Sequence, residues 1–193
     1  MEPEILAGRE CGSCNVCCVS LTIDDPELQK PQGYRCRNAQ RDNSCAIYPT
    51  RPNTCRQFNC GWRLLRFVRE GLRPDKSGLL FRMHMEKSST TAATTMGVIV
   101  TLLNNAALKA EGLAESVAAA VDANVPVFLS VPGPPGFTSG IARVNEALAD
   151  AVAFKDKPAM LRILGQAYRK GRTGDHTPIR LTPRAPADLA DPP

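Results

Sequence analysis

The sequence predicts an α+β fold in which an irregular, cysteine-rich N-terminal region packs on a small mixed α/β portion. Three observations predict it. All 8 cysteines lie between Cys11 and Cys60. Prolines, glycines and turn formers alternate too quickly before residue 60 for long helices or strands. From Leu79 onward the apolar residues fall into strand and helix periods. A chain of 193 residues suffices for one full-sized domain. The expected division is a cysteine-cluster region at 8–62, an α/β portion of the same compact unit at 63–171, and a disordered, proline-rich tail at 172–193.

Cys60–Gly71 reads as a short amphipathic helix ending at Gly71. Leu64, Leu65, Phe67 and Val68 form its apolar side, and Arg63, Arg66 and Arg69 recur every third residue. Leu79–Glu86 alternates as a half-buried strand, with Phe81, Met83 and Met85 opposite Arg82, His84 and Glu86. Met96, Val98, Val100 and Leu102 share one face of a second strand, joined to the first as a hairpin through Lys87–Thr95. Asn104 or Asn105 then caps a helix to Asp122, with Ala106, Ala110, Leu113, Val117 and Val121 on its buried face. Val125–Val131 is apolar and β-branched enough for a third strand, and Pro132–Gly136 forces a loop. Ser139 is expected to cap a helix along Ile141, Val144, Leu148 and Ala151. Asp156 caps another along Leu161, Leu164 and Tyr168, ending near Gly171.

The cysteines carry the chemistry. Residues 11–18 read C-x2-C-x2-C-C, and Cys36, Cys45, Cys55 and Cys60 follow. Scattered at random, eight cysteines would all fall in the first 60 residues in roughly one chain in ten thousand, so inert buried thiols do not account for them. A disulfide scaffold is the structural alternative. Against it stand the two-residue gaps, which aim sulfurs at one point, as a metal requires. The opening residues, Met1–Ile5, carry two acids, no base and no apolar run, so no secretory signal is expected and the reducing cytoplasm is the expected compartment. No stretch approaches the length of an apolar membrane span.

Thiolates are soft ligands and select zinc, iron–sulfur clusters or copper(I) over magnesium or calcium. Cys11, Cys14 and Cys17 reproduce the first three ligands of a bacterial ferredoxin run, without its Cys-Pro continuation. The second C-x2-C knuckle of a zinc ribbon is absent. An iron–sulfur cluster is favoured over zinc. All eight residues, Cys11, Cys14, Cys17, Cys18, Cys36, Cys45, Cys55 and Cys60, are candidate ligands. Cys17 and Cys18 are adjacent, so their side chains tend to diverge and can serve different centres. Whether the thiols make one centre or two is open at this level.

The run Cys11-x2-Cys14-x2-Cys17-Cys18, followed by Cys36, resembles the CxxCxxCC cysteine-cluster proteins of the YkgJ type. The stretch Cys45–Cys60, with Tyr48, Arg51, Pro52, Cys55 and Phe58, is similar to that family's second signature. The family is described as zinc- or iron-chelating, of undetermined activity. A related cysteine arrangement occurs in flagellin lysine methylases, where an iron–sulfur cluster is implied. The resemblance covers residues 11–60 and implies only that the eight cysteines are metal ligands. The expected function is metal binding by the cysteine cluster, its precise activity undetermined, with redox chemistry or protein modification open.

Around those thiols, Ile47, Tyr48 and Phe58 are expected to form an apolar wall that limits water. Arg51 and Arg56 are expected to flank the thiolates and offset their charge. The whole chain carries +5, yet eleven basic residues between Arg35 and Arg82, ten of them arginine, stand against only Asp42, Glu70 and Asp75. This basic zone can compensate a thiolate cluster or face an anionic partner. The alternative function is therefore a structural zinc module presenting an arginine-rich surface to nucleic acid or another anionic partner. No dinucleotide fingerprint, P-loop or nucleophile elbow occurs, and no carboxylate pair stands out for acid–base work. His84 reads as a surface histidine.

Overall fold

The computed structural model describes residues 4–87 and 94–183. Before residue 61 regular structure comes only in short pieces. Helix α1 (Val16–Ser20) carries Cys17 and Cys18, and strands β1 (Ile23–Asp25) and β2 (Leu28–Lys30) pair antiparallel. A 3-10 turn at Tyr48–Thr50 holds Pro49, and Pro52 caps α2 (Asn53–Gln57), so two fixed proline dihedrals steer the chain toward Cys55. Single-turn helices α3 (Gly61–Leu64) and α4 (Pro74–Ser77) flank a 3-10 turn at Glu70–Leu72.

The remainder is a four-stranded sheet with helices packed on it. Strands β3 (Leu79–Lys87) and β4 (Thr94–Leu102) form an antiparallel hairpin, and α5 (Leu113–Asp122) crosses over to β5 (Val127–Val131), which runs parallel to β4. Strand β6 (Gly140–Arg143) pairs antiparallel with β5, giving the order β3-β4-β5-β6. Helices α6 (Asn145–Ala153) and α7 (Lys157–Thr173) complete the regular structure of the described residues. The architecture is α+β, as the residue pattern predicts.

One core joins the two parts. Phe81, Val98, Val100 and Leu129 from the sheet pack with Leu113 and Val117 of α5, Leu148 of α6 and Leu164 of α7. Trp62 of α3, Val68 and Cys60 belong to the same cluster. The cysteine-bearing loops are thus anchored at their exit in the main hydrophobic core, whose burial supplies most of the folding drive.

Several elements differ from expectation. Cys60–Gly71 is not one helix: after Leu64 the backbone turns extended at Leu65 (φ −97, ψ 114). Trp62 is the reason. Its buried indole donates Nε1–H to the Glu70 carbonyl at 2.7 Å, while Arg69 N–H donates to Ser116 Oγ of α5. Arg63, Arg66 and Arg69 therefore share no helix face. The helix expected from Asn104 to Asp122 is broken at Gly112, which sits at φ +91 with Arg69 Cγ 2.8 Å from where a side chain would start. Asn104 instead caps the 3-10 turn Asn105–Lys109, accepting from Ala107 N–H at 3.1 Å. Restarting at Leu113 shifts the buried face to Leu113, Ala114, Ser116, Val117 and Ala120.

Residues 140–143, expected as helix after a Ser139 cap, form edge strand β6, and the helix begins at Asn145. Its pairing with β5 outweighs the local helical period, and Asn145 Oδ1 accepts Val127 N–H at 2.7 Å across that junction. In β3 the alternation is present but burial does not follow it. Met83 and Met85 are 41% and 60% exposed, because they lie toward the hairpin end where Met85 faces Met96. His84 is half-buried, edge-on to Phe128 at 5.2 Å, over Gly97, where a Cβ would stand 3.3 Å from the Phe128 ring. The expected connection Lys87–Thr95 narrows to 88–93, outside the described residues. Asp156 caps α7 as expected, accepting Ala159 N–H at 2.9 Å.

The segment after α7 is strapped to the body rather than leaving it. Pro178 bridges Phe137, His176 Nδ1 lies 2.7 Å from the Thr138 carbonyl, and Thr182 Oγ1 donates to Asp24 at 2.7 Å. Residues 184–193, the rest of the expected tail, lie outside the described residues. Among the described residues no helix is long and apolar enough to cross a membrane.

Candidate metal centre

Two separate sets of backbone contacts deliver the cysteines. The first fixes residues 4–14 on α3. Leu6 N–H donates to the Arg63 carbonyl at 2.9 Å, Arg9 Nη1 donates to the Trp62 carbonyl at 2.6 Å, and Arg63 Nε returns a bond to the Arg9 carbonyl at 3.0 Å. The Arg9 guanidinium also lies over the Trp62 ring, 5.7 Å from its centroid. This reciprocal clasp sets the Cys11 turn beside Cys60, the N-cap of α3. Cys14 N–H donates to the Cys11 carbonyl at 2.9 Å and tightens the C-x2-C turn. Arg73, paired with Asp75 at 2.8 Å, donates to Ser13 Oγ at 3.2 Å and holds the turn against α4.

The second set folds residues 36–55 back onto α1. Cys36 N–H donates to the Cys18 carbonyl at 2.8 Å. Ala39 bridges Cys45, and between them Asp42 Oδ1 accepts Ser44 N–H at 2.9 Å while Asn43 takes φ +68. Asparagine tolerates that left-handed conformation better than most side chains. Asn15 Nδ2 donates to Asn43 Oδ1 at 2.9 Å, tying this small hairpin to the start of α1. Cys55 N–H donates to the Pro52 carbonyl at 2.9 Å in the first turn of α2.

The electrostatics follow these groupings. Burial pushes the Cys60 thiol up, against a bond from Arg63 N–H, and the charges of Cys11 and Cys14 add to that rise. Burial also raises Cys14, whose charged neighbours are Asp75 and Cys11. Cys17 is pushed far up, first by its hydrogen bond to Cys18, then by burial. Cys18 is lowered to about 6 by that same bond, helped by Lys30, Arg35 and Arg51. Cys55 is raised by burial, with Cys18, Cys36 and Cys45 around it and Arg51 opposing.

Lys30 is a participant that sequence reasoning missed. Its side chain is buried at 6% exposure, and Nζ donates to the carbonyls of Val19, Leu21 and Pro31. Burial lowers its pKa, while Cys36, Cys18, Cys17 and Cys55 oppose that shift. Nothing in the local sequence marks Lys30, since only the β1–β2 pairing carries it under α1. Arg35 of the basic zone acts on Cys18, and Asp75, which acts on Cys14, is a further neighbour that the local sequence does not mark. Arg51 is half-buried, stacks 4.2 Å above the Tyr48 ring, and acts on Cys18 and Cys55. Arg56 is exposed in the last turn of α2. The expected apolar wall does not form: Tyr48 is 58% exposed under Arg51, and Phe58 turns to the main core.

All eight thiols are unpaired, Cys36 and Cys60 buried and the others half-buried. The donor set fits a soft metal in kind and in number. The sulfurs are not drawn onto a point, however: among the described residues no three His, Cys, Asp or Glu side chains are close enough to hold a metal ion. The basic zone also divides. Arg63 and Arg73 are engaged inside the cysteine region, and Arg82 is half-buried, with its pKa lowered by burial. Arg37, Arg41, Arg66 and Arg69 are exposed. An open groove of about 760 Å³ beside the Glu70–Leu72 turn is lined by Arg69, Lys76, Lys109 and Glu115 and contains no cysteine. In comparison with known proteins, the chain matches no family model, no curated protein and no solved structure.

Proposed function

We propose that the chain is a metal-binding cysteine-cluster protein whose thiols hold an iron–sulfur cluster or zinc. One observation carries the reading: all eight thiols of Cys11–Cys60 are free, and neighbouring thiols act on Cys14, Cys17, Cys55 and Cys60. Loops that carry such thiols gain folding energy from a bound ion. The spacing of the two cysteine motifs supports relating the chain to the YkgJ-type family, and reduced thiolates suit the cytoplasm. When bound, the ion or cluster supplies a positive or redox-active centre. The chain's own residues position the sulfurs, and Lys30, Arg35 and Arg51 offset thiolate charge at Cys18.

Anaerobic purification with elemental analysis and absorption spectroscopy tests this. Stoichiometric iron with acid-labile sulfide and a brown colour is the expected result. Colourless protein with tightly bound zinc removes the cluster and keeps the thiolate site. Protein that holds neither metal after reduction and reconstitution removes the reading.

A further inference from the structure

The parallel pair β4 and β5 ends in an open groove that no cysteine lines, and we propose that this groove binds a small organic anion. The ligand would present a carboxylate or phosphate head together with an apolar body. The groove measures about 380 Å³. Sites for small ligands commonly span about 300–1,000 Å³.

Its place in the fold is where such sites form. Ligands collect beyond the carboxyl ends of parallel strands, where the chain leaves each strand by a different route. After Leu102 the chain turns into the Asn105–Lys109 segment, and after Val131 it leaves through Pro132 and Gly133. The groove lies where these two exits meet α7, whose Tyr168 and Arg172 line it.

The lining sets the ligand's chemistry. Leu102, Val131 and Pro132 at the strand ends are apolar. Tyr168 is only 6% exposed, yet among the described residues its hydroxyl makes no hydrogen bond, so a buried donor lacks the partner such groups normally have. Arg172 follows four residues later, on the same side of α7. It is exposed and pairs with no carboxylate among the described residues. No Asp or Glu lines the groove, which leaves Arg172 as its one formal charge. A guanidinium beside a phenol hydroxyl suits an oxyanion, which accepts from both. The larger groove beside the Glu70–Leu72 turn has no such preference, because Glu70, Glu111 and Glu115 balance Arg69, Lys76 and Lys109 there.

The rim is held from outside. A Cβ on Gly133 would meet the Thr138 carbonyl oxygen and stand 2.8 Å from His176 Nδ1, itself 2.7 Å from that same carbonyl. The segment after α7 therefore closes against the groove's edge, and an edge fixed in advance lowers the ordering cost of binding.

Titration of the isotope-labelled full chain with benzoate, phenyl phosphate, inorganic phosphate and benzyl alcohol, followed by amide chemical shifts, tests the assignment. Saturable shifts at Leu103, Asn105, Gly133 and Arg172 are expected with millimolar benzoate or phenyl phosphate, and the tighter of the two identifies the head group. Inorganic phosphate and benzyl alcohol each lack half of the recognised structure and should bind at least about fivefold more weakly. Arg172→Gln should weaken the tighter probe about tenfold through loss of a charged donor, and Tyr168→Phe by a smaller factor. Lys109→Gln, in the other groove, should leave the affinity unchanged. Failure of both aromatic anions to saturate these shifts, binding of benzyl alcohol or inorganic phosphate as tight as theirs, or wild-type affinity in Arg172→Gln overturns the assignment. None of these outcomes depends on the cysteines or their metal.

Discussion

The amide of Cys36 donates to the carbonyl of Cys18 at 2.8 Å, and this one bond brings together thiols far apart in sequence. It closes the chain over β1 and β2, so that Lys30, at the end of β2, lies buried beneath α1 with its ammonium against the carbonyls of Val19, Leu21 and Pro31. A cation in that position both ends the helix and faces the sulfurs.

Lys30→Met is accordingly expected to destabilise the reduced, metal-free protein by about 1–3 kcal/mol, because three carbonyls lose a charged donor. The same change should move the Cys18 thiol upward from about 6, since Lys30 is one of the cations that favour its thiolate. Urea unfolding and the pH dependence of thiolate absorbance measure the two effects. Unchanged values in both would show that the ammonium is not coupled to the sulfurs.

Gly61 packs closely between the cysteine region and the sheet. A Cβ there would stand 2.8 Å from Phe81 Cβ and 2.9 Å from Leu65 Cδ1. Gly61→Ala should therefore cost about 1–3 kcal/mol through overpacking. Gly71→Ala, with nothing within 4 Å, is the control and should change stability by no more than about 0.5 kcal/mol. Equal denaturation midpoints for the two variants would contradict the close approach of α3 to β3.

The arginines of the basic zone separate by role. Arg63→Ala removes bonds to the Arg9 carbonyl and to Asn59 Oδ1, and should lower stability by about 1–2 kcal/mol. Arg66→Ala removes only an exposed contact with Glu4 at 3.8 Å and should be neutral within about 0.5 kcal/mol. Thermal melts of both variants decide it, and a larger loss at Arg66 would be the contrary result.

Between α5 and α7, Lys157 Nζ donates to Glu115 Oε1 at 2.8 Å. That bond holds the Glu115 carboxyl below the usual carboxylate range. A carboxyl lowered in the folded state stabilises above its unfolded pKa, and the contribution is lost as pH falls through the folded value. Lys157 is raised by the same partner, so its share is present below the ordinary lysine pKa and is lost only as pH rises through the higher folded value. The Tm difference between wild type and Lys157→Met should be steady near neutrality and shrink in acid. A difference that widened in acid would exclude the pair as its source.

What was legible in the sequence was local. Alternation over Leu79–Glu86 and Met96–Leu102 marks β3 and β4, because side chains on a strand change face at every residue. The carboxylate of Asp156 marks the start of α7, because its bond to Ala159 N–H is made three residues away. Cys60–Gly71 has a helical period and is nevertheless mostly not helix, since burying Trp62 and Val68 in the shared core is worth more than continuing one marginal helix. Residues 140–143 likewise become β6 because β5 offers them a pairing edge.

By itself, the sequence determined the chemistry available to this protein: eight soft ligands in the first third of the chain, an α+β pattern behind them, and arginines between. Only the tertiary structure decided which thiols are neighbours and that a buried Lys30 stands among them. The physical reason is that side-chain type and periodicity are properties of short stretches. The grouping of Cys18 with Cys36 and of Cys11 with Cys60 depends on hydrogen bonds and packing between segments that become adjacent only when the chain folds.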